Sequence, residues 1–376
     1  MSMCNEKTTG NVAPEGDLTS LYINPTRYCN LKCRHCWISP PQKEELDGKG
    51  GELSTGEITG IIKEAKGLGL RDVKFTGGEP LLRKDITELL RFCYEEEVKT
   101  SIETNGTLID KELASAMKRY GVSFIAVSLD SYREELNDRF RGRKGAFKKA
   151  LAGIRALIDE GIRPQVIMSM YRENFTDLPE FLKMMQDLWV NNIKLNTITP
   201  LGRGASLYDT GEIPSVREIL EFLERLGSIR RSFKGRLYLD VPIAFKSVEE
   251  IHAGCGVCHI KNILGILSDG SVSICGIGHL EEELLFGSVR EDPSALKYIW
   301  RENTVLKKIK EEIPYKLKGV CSICVFRNKC LGYCRAEIYH NTGDLFAPYW
   351  FCQEAYDKGL FPPTRLVPEP LRAGYG

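Results

Sequence analysis

Cysteines are the residues of this chain whose number and spacing point most directly to chemistry. The sequence of 376 residues contains 13 of them. Three near the start, Cys29, Cys33 and Cys36, have the spacing C-x3-C-x2-C. Eight more lie in the last third of the chain: Cys255, Cys258, Cys275, Cys321, Cys324, Cys330, Cys334 and Cys352. Cys4 and Cys93 fit neither group, and we interpret them as a tail thiol and a core residue.

The composition limits the compartment and the partners. The first twenty residues lack the charged start and apolar run of a secretory signal, which predicts a cytoplasmic location. Disulfides are rare there, so metal or redox chemistry is the favoured reason for the cysteines. With 52 Lys+Arg against 51 Asp+Glu, the net charge of +1 predicts no nucleic-acid partner. The sequence also contains no apolar run long enough to cross a bilayer, so we expect no membrane partner.

The cysteine-poor middle of the chain alternates short apolar runs with helical patterns. We predict strands at residues 21–24, 72–75, 100–103, 124–128, 165–169 and 192–197. We predict helices at residues 55–68, 85–96, 111–119, 146–160 and 178–188. This alternation indicates a parallel sheet with helices outside it, either barrel-like or doubly wound. In both architectures the chemistry lies at the carboxyl ends of the strands.

Polar motifs follow the first four predicted strands. The first cysteine group follows strand one, Thr76-Gly77-Gly78-Glu79-Pro80 follows strand two, Thr104-Asn105-Gly106 follows strand three, and Ser128 ends strand four. Three thiolates on one loop suit three corners of a cubane iron–sulfur cluster and leave one iron open. The alternative is a zinc ion with His35 as a fourth ligand.

A C-x3-C-x2-C loop after strand one and a Gly-Gly-Glu-Pro motif after strand two together resemble the radical S-adenosylmethionine (SAM) superfamily. The resemblance implies that Cys29, Cys33 and Cys36 hold a [4Fe-4S] cluster whose open iron binds SAM. It places His35 near the adenine, and Thr76, Gly77, Gly78 and Glu79 in the motif that contacts the SAM amino group. By the same resemblance, Asn105 and Ser128 contact the ribose or methionine part, and Arg141 or Arg143 binds the carboxylate, which guanidinium groups hold bidentately.

The second cysteine group resembles the SPASM extension of radical SAM enzymes at every spacing, including Gly270. Residues 265–275 read as a β-hairpin with an Asp269-Gly270 turn that presents Cys275. The resemblance assigns Cys255, Cys258, Cys275 and Cys334 to auxiliary cluster I, and Cys321, Cys324, Cys330 and Cys352 to auxiliary cluster II. Cys255 is the additional eighth ligand; without it, cluster I keeps an open iron. The alternative is a pair of zinc knuckles built on the two C-x2-C pairs.

The expected fold is therefore of the α/β class, a partial (β/α)6 TIM-like barrel with a C-terminal cysteine-rich SPASM domain that contains the hairpin. We expect an N-terminal tail at residues 1–18, the barrel at 19–235, a linker at 236–250, the SPASM domain at 251–360 and a C-terminal tail at 361–376. The implied cofactors are three [4Fe-4S] clusters and SAM. An external electron donor resembling flavodoxin or ferredoxin would reduce the clusters.

The leading functional hypothesis is oxidative modification of a ribosomally made peptide or protein, for example by cross-linking. Gly276 stands where family members that make formylglycine carry an acidic base, so that activity is not expected. Strand one begins by Leu21, which leaves no room for an N-terminal leader-binding domain and implies a separate leader-binding protein or none. We further expect glycine-rich loops after Cys275 and after strand six to pair with an extended substrate chain. The alternatives are modification of a tetrapyrrole or other small molecule, and a non-enzymatic electron-transfer or iron-sensing protein.

Overall fold

A computed structural model of the protein describes residues 16–40, 51–252 and 258–368. Cys255 and Cys4 lie outside these ranges. Within the described residues no helix is both long and apolar enough to cross a membrane.

The described residues form one ten-stranded sheet in the order β10-β9-β8-β1-β2-β3-β4-β5-β6-β7. Its strands are β1 (Ser20–Ile23), β2 (Asp72–Phe75), β3 (Lys99–Thr104), β4 (Phe124–Ser128), β5 (Gln165–Met170), β6 (Asn192–Thr197), β7 (Arg236–Asp240), β8 (Ile263–Ile266), β9 (Ser271–Ser273) and β10 (Leu285–Ser288). Strands β1 to β7 are parallel and pair in chain order, as strict alternation with helices predicts.

Helices follow nearly every parallel strand. They are α1 (Thr55–Lys66), α2 (Ile86–Glu95), α3 (Lys111–Arg119), α4 (Glu134–Arg141), α5 (Ala146–Asp159), α6 (Leu178–Asp187), α7 (Ala205–Asp209), α8 (Val216–Ser232), α9 (Val248–His252), α10 (Ala295–Glu302), α11 (Thr304–Glu312), α12 (Arg327–Cys330), α13 (Arg335–Thr342) and α14 (Trp350–Asp357). Capping residues in the sequence determine where some of these helices begin. Ser54 and Glu57 form a capping box at α1, and Ser215 and Glu218 form one at α8.

The six predicted strands are all present, and β7 adds a seventh that the sequence prediction did not contain. It occupies the first part of the predicted linker at residues 236–250. The segment alternates exposed or partly buried residues with buried Leu237 and Leu239, which is the pattern of a strand with one apolar face. Helix α8, which connects β6 to β7, was likewise not predicted, although its capping box is visible in the sequence.

The predicted hairpin is confirmed, but its place in the fold was not foreseen. Strands β8 and β9 are antiparallel, and Gly270 in their turn has φ +89°, which glycine adopts without strain. Strand β8 also pairs in parallel with β1, with Leu264 opposite Leu21. The hairpin therefore extends the sheet of the barrel, and Cys275, which follows β9, lies against Gly265 of β8, the strand next to β1.

The two faces of the parallel sheet differ in polarity. Alternate residues such as Val73, Phe75, Ile102 and Ile193 are fully buried in the main apolar core with the helices. The residues between them point to the other face because successive side chains of a strand alternate. That second face, called the inner face below, carries Tyr22, Lys74, Glu103, Lys194 and Asp240.

Candidate functional site

The first cysteine group lies in the loop after β1. Cys33 is buried, and Cys29 and Cys36 pack around the same small cluster with Leu31 and Ala146. Burial raises the pKa of Cys29 to about 12 and that of Cys33 to about 11, and the neighbouring cysteines contribute to both shifts. Three converging cysteines, two of them with raised pKa values, fit a site completed by bound iron, because a bound metal cation keeps thiolates deprotonated.

The Gly-Gly-Glu motif lies against this loop. A Cβ atom on Gly78 would be 2.0 Å from the carbonyl oxygen of Tyr28, so only glycine fits where the two loops touch. Glu79 is buried, and its carboxylate accepts hydrogen bonds from the Thr104 hydroxyl (2.7 Å), Asn105 N–H (2.8 Å) and Leu81 N–H (3.1 Å). Its side chain therefore ties the ends of β2 and β3 together, and the backbone of the motif faces the cysteine loop.

Asn105 connects the end of β3 to the cysteine loop. Its Nδ2 donates to Asn30 Oδ1 at 2.8 Å and lies 3.9 Å from the sulfur of Cys29. Thr76 directly follows β2 and Ser128 ends β4, on either side of β3, and the Thr76 hydroxyl donates to Glu103 of β3 at 3.2 Å. The structure thus brings the predicted residues of β2, β3 and β4 to the edge of the sheet that carries the cysteines.

The two candidate arginines differ in their partners. Arg141 is buried, with Nε 2.6 Å from Asp130 Oδ2 and Nη1 3.8 Å from the Cys33 sulfur. Arg143 is exposed and donates to the carbonyl oxygen of Asn30 at 2.8 Å. Both lie against the cysteine loop, and Arg141 already carries a carboxylate partner from the protein.

His35 forms the first layer of an aromatic stack. Its ring lies 4.7 Å from Phe140 with an interplanar angle of 9°, and Phe140 lies 4.0 Å from Tyr171 at 4°. Burial lowers the pKa of His35 to about 4, so the ring is neutral at pH 7. Its Nδ1 is buried without a hydrogen-bond partner among the described residues.

The described ligands of predicted cluster I come together beside the hairpin. The pKa of Cys334 is raised well above its ordinary value by burial first, with contributions from Glu337, Cys275 and Cys258. Burial also raises the pKa of Cys258 to about 11, and Cys275 contributes. These three thiols fit one side of a cluster; the fourth predicted ligand, Cys255, is not among the described residues.

The four ligands of predicted cluster II line one cavity: Cys321, Cys324, Cys330 and Cys352. Between the two sets lies the guanidinium of Arg335, which is fully buried and donates to the carbonyl oxygens of Leu345 and Ala347 at 3.0 and 2.9 Å. Burial lowers the pKa of Arg335 while Cys321, Cys330, Cys334 and Cys258 raise it. A fixed cation between two sets of thiolates suits two anionic clusters. No three His, Cys, Asp or Glu side chains in the described ranges are placed to hold a single metal ion.

Sequence reasoning missed the charged residues of the inner face. Lys74, which is 1% exposed, pairs with Glu103 at 2.8 Å, and Lys194 pairs with Asp240 at 2.9 Å. The Tyr333 hydroxyl, one residue from Cys334, donates to Asp240 at 3.0 Å. The sequence does contain a signal for this polar face. Apolar and polar residues alternate in residues 72–75, 192–197 and 236–240, and such alternation places the polar residues together on one face of the sheet.

Several backbone N–H groups of the glycine-rich loops, which we expected to pair with a substrate chain, are hydrogen-bonded within the protein. Arg203 N–H donates to the carbonyl oxygen of Cys36, Gly204 N–H to Leu201, and Gly278 N–H to Cys275. The N–H groups of Gly204 and Gly278 therefore bond within turns, and that of Arg203 holds the loop after β6 against the cysteine loop.

Comparison with known proteins agrees with this fold. The model of the radical SAM superfamily matches residues 23–185, and that of the SPASM iron–sulfur cluster-binding domain matches residues 255–325. The Fe-coproporphyrin III synthase of Methanosarcina barkeri is 38% identical over 348 residues, covering 86% of this chain and 85% of the relative. The chain belongs to the radical SAM superfamily and is a radical SAM enzyme with a SPASM domain. That membership implies iron–sulfur clusters and SAM as cofactors.

Other relatives differ in what their names say they act on. An AdoMet-dependent heme synthase of Methanosarcina barkeri is 27% identical over 87% of this chain and 94% of the relative. A PqqA peptide cyclase of Bradyrhizobium diazoefficiens is 27% identical over 90% of this chain and 87% of the relative. Among solved structures, Streptococcus suis SuiB bound to S-adenosylmethionine has the same fold, with a TM-score of 0.69 at 19% identity over 90% of this chain and 78% of that one.

Proposed function

We propose that this enzyme modifies an iron tetrapyrrole by radical SAM chemistry. The observation that carries this proposal is the 38% identity to a Fe-coproporphyrin III synthase across 86% of the chain, compared with 27% for the peptide cyclase. This reverses the order of the two enzyme hypotheses drawn from the sequence, in which a peptide substrate came first.

In this proposal Cys29, Cys33 and Cys36 hold the [4Fe-4S] cluster that binds SAM. When bound and reduced, that cluster and SAM would supply the radical chemistry that removes a hydrogen atom from the substrate. The chain binds and orients SAM through the predicted contacts: His35, Thr76, Gly77, Gly78, Glu79, Asn105, Ser128, Arg141 and Arg143. Because the Glu79 carboxylate is bonded to β3 and the following turn, this residue would contact SAM through its backbone.

We further propose that the two sets of four cysteines each hold a [4Fe-4S] cluster, giving three clusters per chain. Cys255 would complete cluster I with Cys258, Cys275 and Cys334. Arg335 would stabilise the reduced, more negative state of both clusters because its charge lies between them. Such clusters accept the electron released when a substrate radical is oxidised, and an external donor of the flavodoxin or ferredoxin type would supply the reducing electron.

An arginine beside the cysteine loop suits a substrate that carries carboxylates. Arg203 donates through Nε to the carbonyl oxygen of Cys33 at 2.8 Å, and its Nη2 has no hydrogen-bond partner within the described residues although it is buried. A buried guanidinium nitrogen without a partner is costly unless a ligand satisfies it. A substrate carboxylate beside the SAM cluster would do so. Arg139, by contrast, already pairs with Glu173 at the surface.

A ribosomally made peptide is the second candidate, favoured by the similarity to the PqqA peptide cyclase over 90% of this chain. In this candidate a peptide would pair with fewer groups of the glycine-rich loops than expected, because the N–H groups of Arg203, Gly204 and Gly278 are engaged within the protein. It would also allow a separate leader-binding partner.

The test compares the two substrate classes in separate reactions. Anaerobically reconstituted enzyme, a low-potential reductant and SAM are incubated with iron tetrapyrroles bearing acetate or propionate groups, and separately with candidate peptides. We expect 5′-deoxyadenosine to form in proportion to a mass change in a tetrapyrrole, and neither product to form with the Cys29→Ala variant. Modification of a peptide with every tetrapyrrole unchanged would overturn the proposal in favour of the peptide candidate. Absence of SAM cleavage with all substrates would favour the electron-transfer or iron-sensing alternative.

A further inference from the structure

His279 lies where the cysteine loop and the hairpin meet. It belongs to a short 3-10 turn, Gly278–Leu280, that begins three residues after Cys275. Its ring centroid is 6.0 Å from that of Trp37, which directly follows Cys36. A Cβ on Gly276 would be 3.4 Å from the Trp37 ring, so the chain beside Cys275 is in contact with the chain beside Cys36.

This position is the one that a substrate must occupy. A radical formed at the SAM cluster can reach only a substrate that lies beside the first cysteine group. An electron leaving that substrate for auxiliary cluster I has the shortest route if the substrate also lies beside Cys275. His279 and Leu280 are partly exposed, whereas the preceding residues 272–278 are buried, so His279 is the partly exposed polar side chain of this turn.

One nitrogen of His279 is committed to the protein. Nδ1 lies 3.0 Å from the carbonyl oxygen of Gly276. A carbonyl oxygen can only accept, so Nδ1 carries the proton and the lone pair of a neutral ring is at Nε2. Within the described part of the chain, Nε2 has no hydrogen-bond partner. Histidines that bind metal commonly have this arrangement, with the other ring nitrogen donating to a backbone carbonyl.

We propose that Nε2 of His279 is an axial ligand to the iron of the tetrapyrrole substrate. This inference rests on the proposed function, since it requires an iron tetrapyrrole. A neutral imidazole is the common protein ligand of tetrapyrrole iron. Coordination would fix the height and orientation of the macrocycle between the two cysteine groups, with the Trp37 ring as a neighbouring wall. His279 is thus a binding and positioning residue.

His35 and His340 are less suited to this role. His35 is covered by Phe140, and its Nδ1 is buried in the stack. His340, on α13, which packs against the turn of His279, is paired with Glu281. His340 therefore provides a matched control: a nearby histidine whose replacement should leave the iron unchanged.

The test uses the reconstituted enzyme with its clusters oxidised, so that a bound ferric tetrapyrrole dominates the electron paramagnetic resonance spectrum. Ferric coproporphyrin III is titrated into the wild-type protein and the His279→Ala, His279→Met and His340→Ala variants, with iron and sulfide content measured for each. We expect a histidine-ligated spectrum for the wild-type protein and for His340→Ala.

For His279→Ala we expect loss of that spectrum, binding weaker by roughly tenfold or more, and restoration of the spectrum by added imidazole. His279→Met should give a different ligation spectrum because a thioether replaces the imidazole.

The outcomes separate the two proposals. If the wild-type protein binds the ferric tetrapyrrole and His279→Ala gives an unchanged spectrum with intact clusters, the ligand assignment is wrong while the proposed function stands. If the wild-type protein binds no iron tetrapyrrole, the proposed function is wrong and the ligand assignment fails with it.

Discussion

The ammonium of Lys74 lies 2.8 Å from the carboxylate of Glu103 across neighbouring strands of the inner face. The Lys74 nitrogen is also 4.5 Å from the centre of the Tyr22 ring. Burial by itself would lower the pKa of Lys74, but the Glu103 carboxylate raises it above its ordinary value. The pair is therefore charged inside the fold, where an isolated charge would be expensive.

Replacing Lys74 with methionine should destabilise the protein by roughly 2–4 kcal/mol, since it breaks an ion pair whose ammonium group is on a side chain only 1% exposed. Denaturant unfolding of the anaerobic protein measures this free energy. Lys66→Met is the matched control, because Lys66 pairs with Glu96 at 2.6 Å but its side chain is 38% exposed. Its effect should stay within about 0.5 kcal/mol. Equal effects of the two substitutions would contradict the account of the inner face.

Gly78→Ala should abolish SAM binding or weaken it by more than tenfold. The added methyl group would lie 2.0 Å from the Tyr28 carbonyl oxygen and force the motif away from the cysteine loop. Equilibrium dialysis with SAM measures the loss. Gly227→Ala, within α8, meets nothing within 4 Å. That control should bind SAM normally and gain up to about 1 kcal/mol in stability. Normal SAM affinity in Gly78→Ala would show that the loops are not held as described.

Histidine ligation of the tetrapyrrole iron should persist below pH 6.5. Burial lowers the pKa of His279 from its ordinary value of 6.5, and only the neutral ring can bind iron. The histidine-ligated signal should therefore be retained as the pH falls through 6.5 and be lost at a lower pH. In His279→Met the corresponding transition should be absent because a thioether does not titrate. A signal already lost above pH 6.5 would contradict this prediction.

Cys255→Ala should change the spectroscopic signal of auxiliary cluster I and leave the other two clusters unchanged, because Cys255 is the predicted fourth ligand. Mössbauer spectra with the iron count measure this. Cys93→Ala is the control: Cys93 is fully buried in the apolar core and lies in neither cysteine group. If cluster I is identical in Cys255→Ala and the wild-type protein, cluster I has an open iron in this enzyme.

The sequence was informative where a residue type and a spacing together specify one geometry. The alternating runs predicted the parallel strands, and the Asp269-Gly270 turn predicted the hairpin because few residues other than glycine tolerate a positive φ. Pairing of β8 with β1 could not be predicted, since it joins strands about 240 residues apart in the chain and no local signal encodes that contact.

In the candidate site, too, some features were predictable from the sequence and others were not. Spacing correctly predicted that Cys321, Cys324, Cys330 and Cys352 come together, since these four line one cavity. The partners of Glu79 and Arg141 were not predictable, because Thr104 and Asp130 come from other elements. His279 has a single signal in the sequence, its distance of four residues from Cys275. Its importance depends on Trp37, which only the folded chain brings beside it.

The central claim is that the loop of Cys29, Cys33 and Cys36 holds a cluster that cleaves SAM. The most direct measurement is 5′-deoxyadenosine production by the reduced, anaerobically reconstituted enzyme, together with its iron content. The account predicts about twelve irons per chain and SAM cleavage for the wild-type protein. For the protein in which all three loop cysteines are replaced by alanine, it predicts about eight irons and no cleavage. SAM cleavage retained in that triple variant would contradict the account.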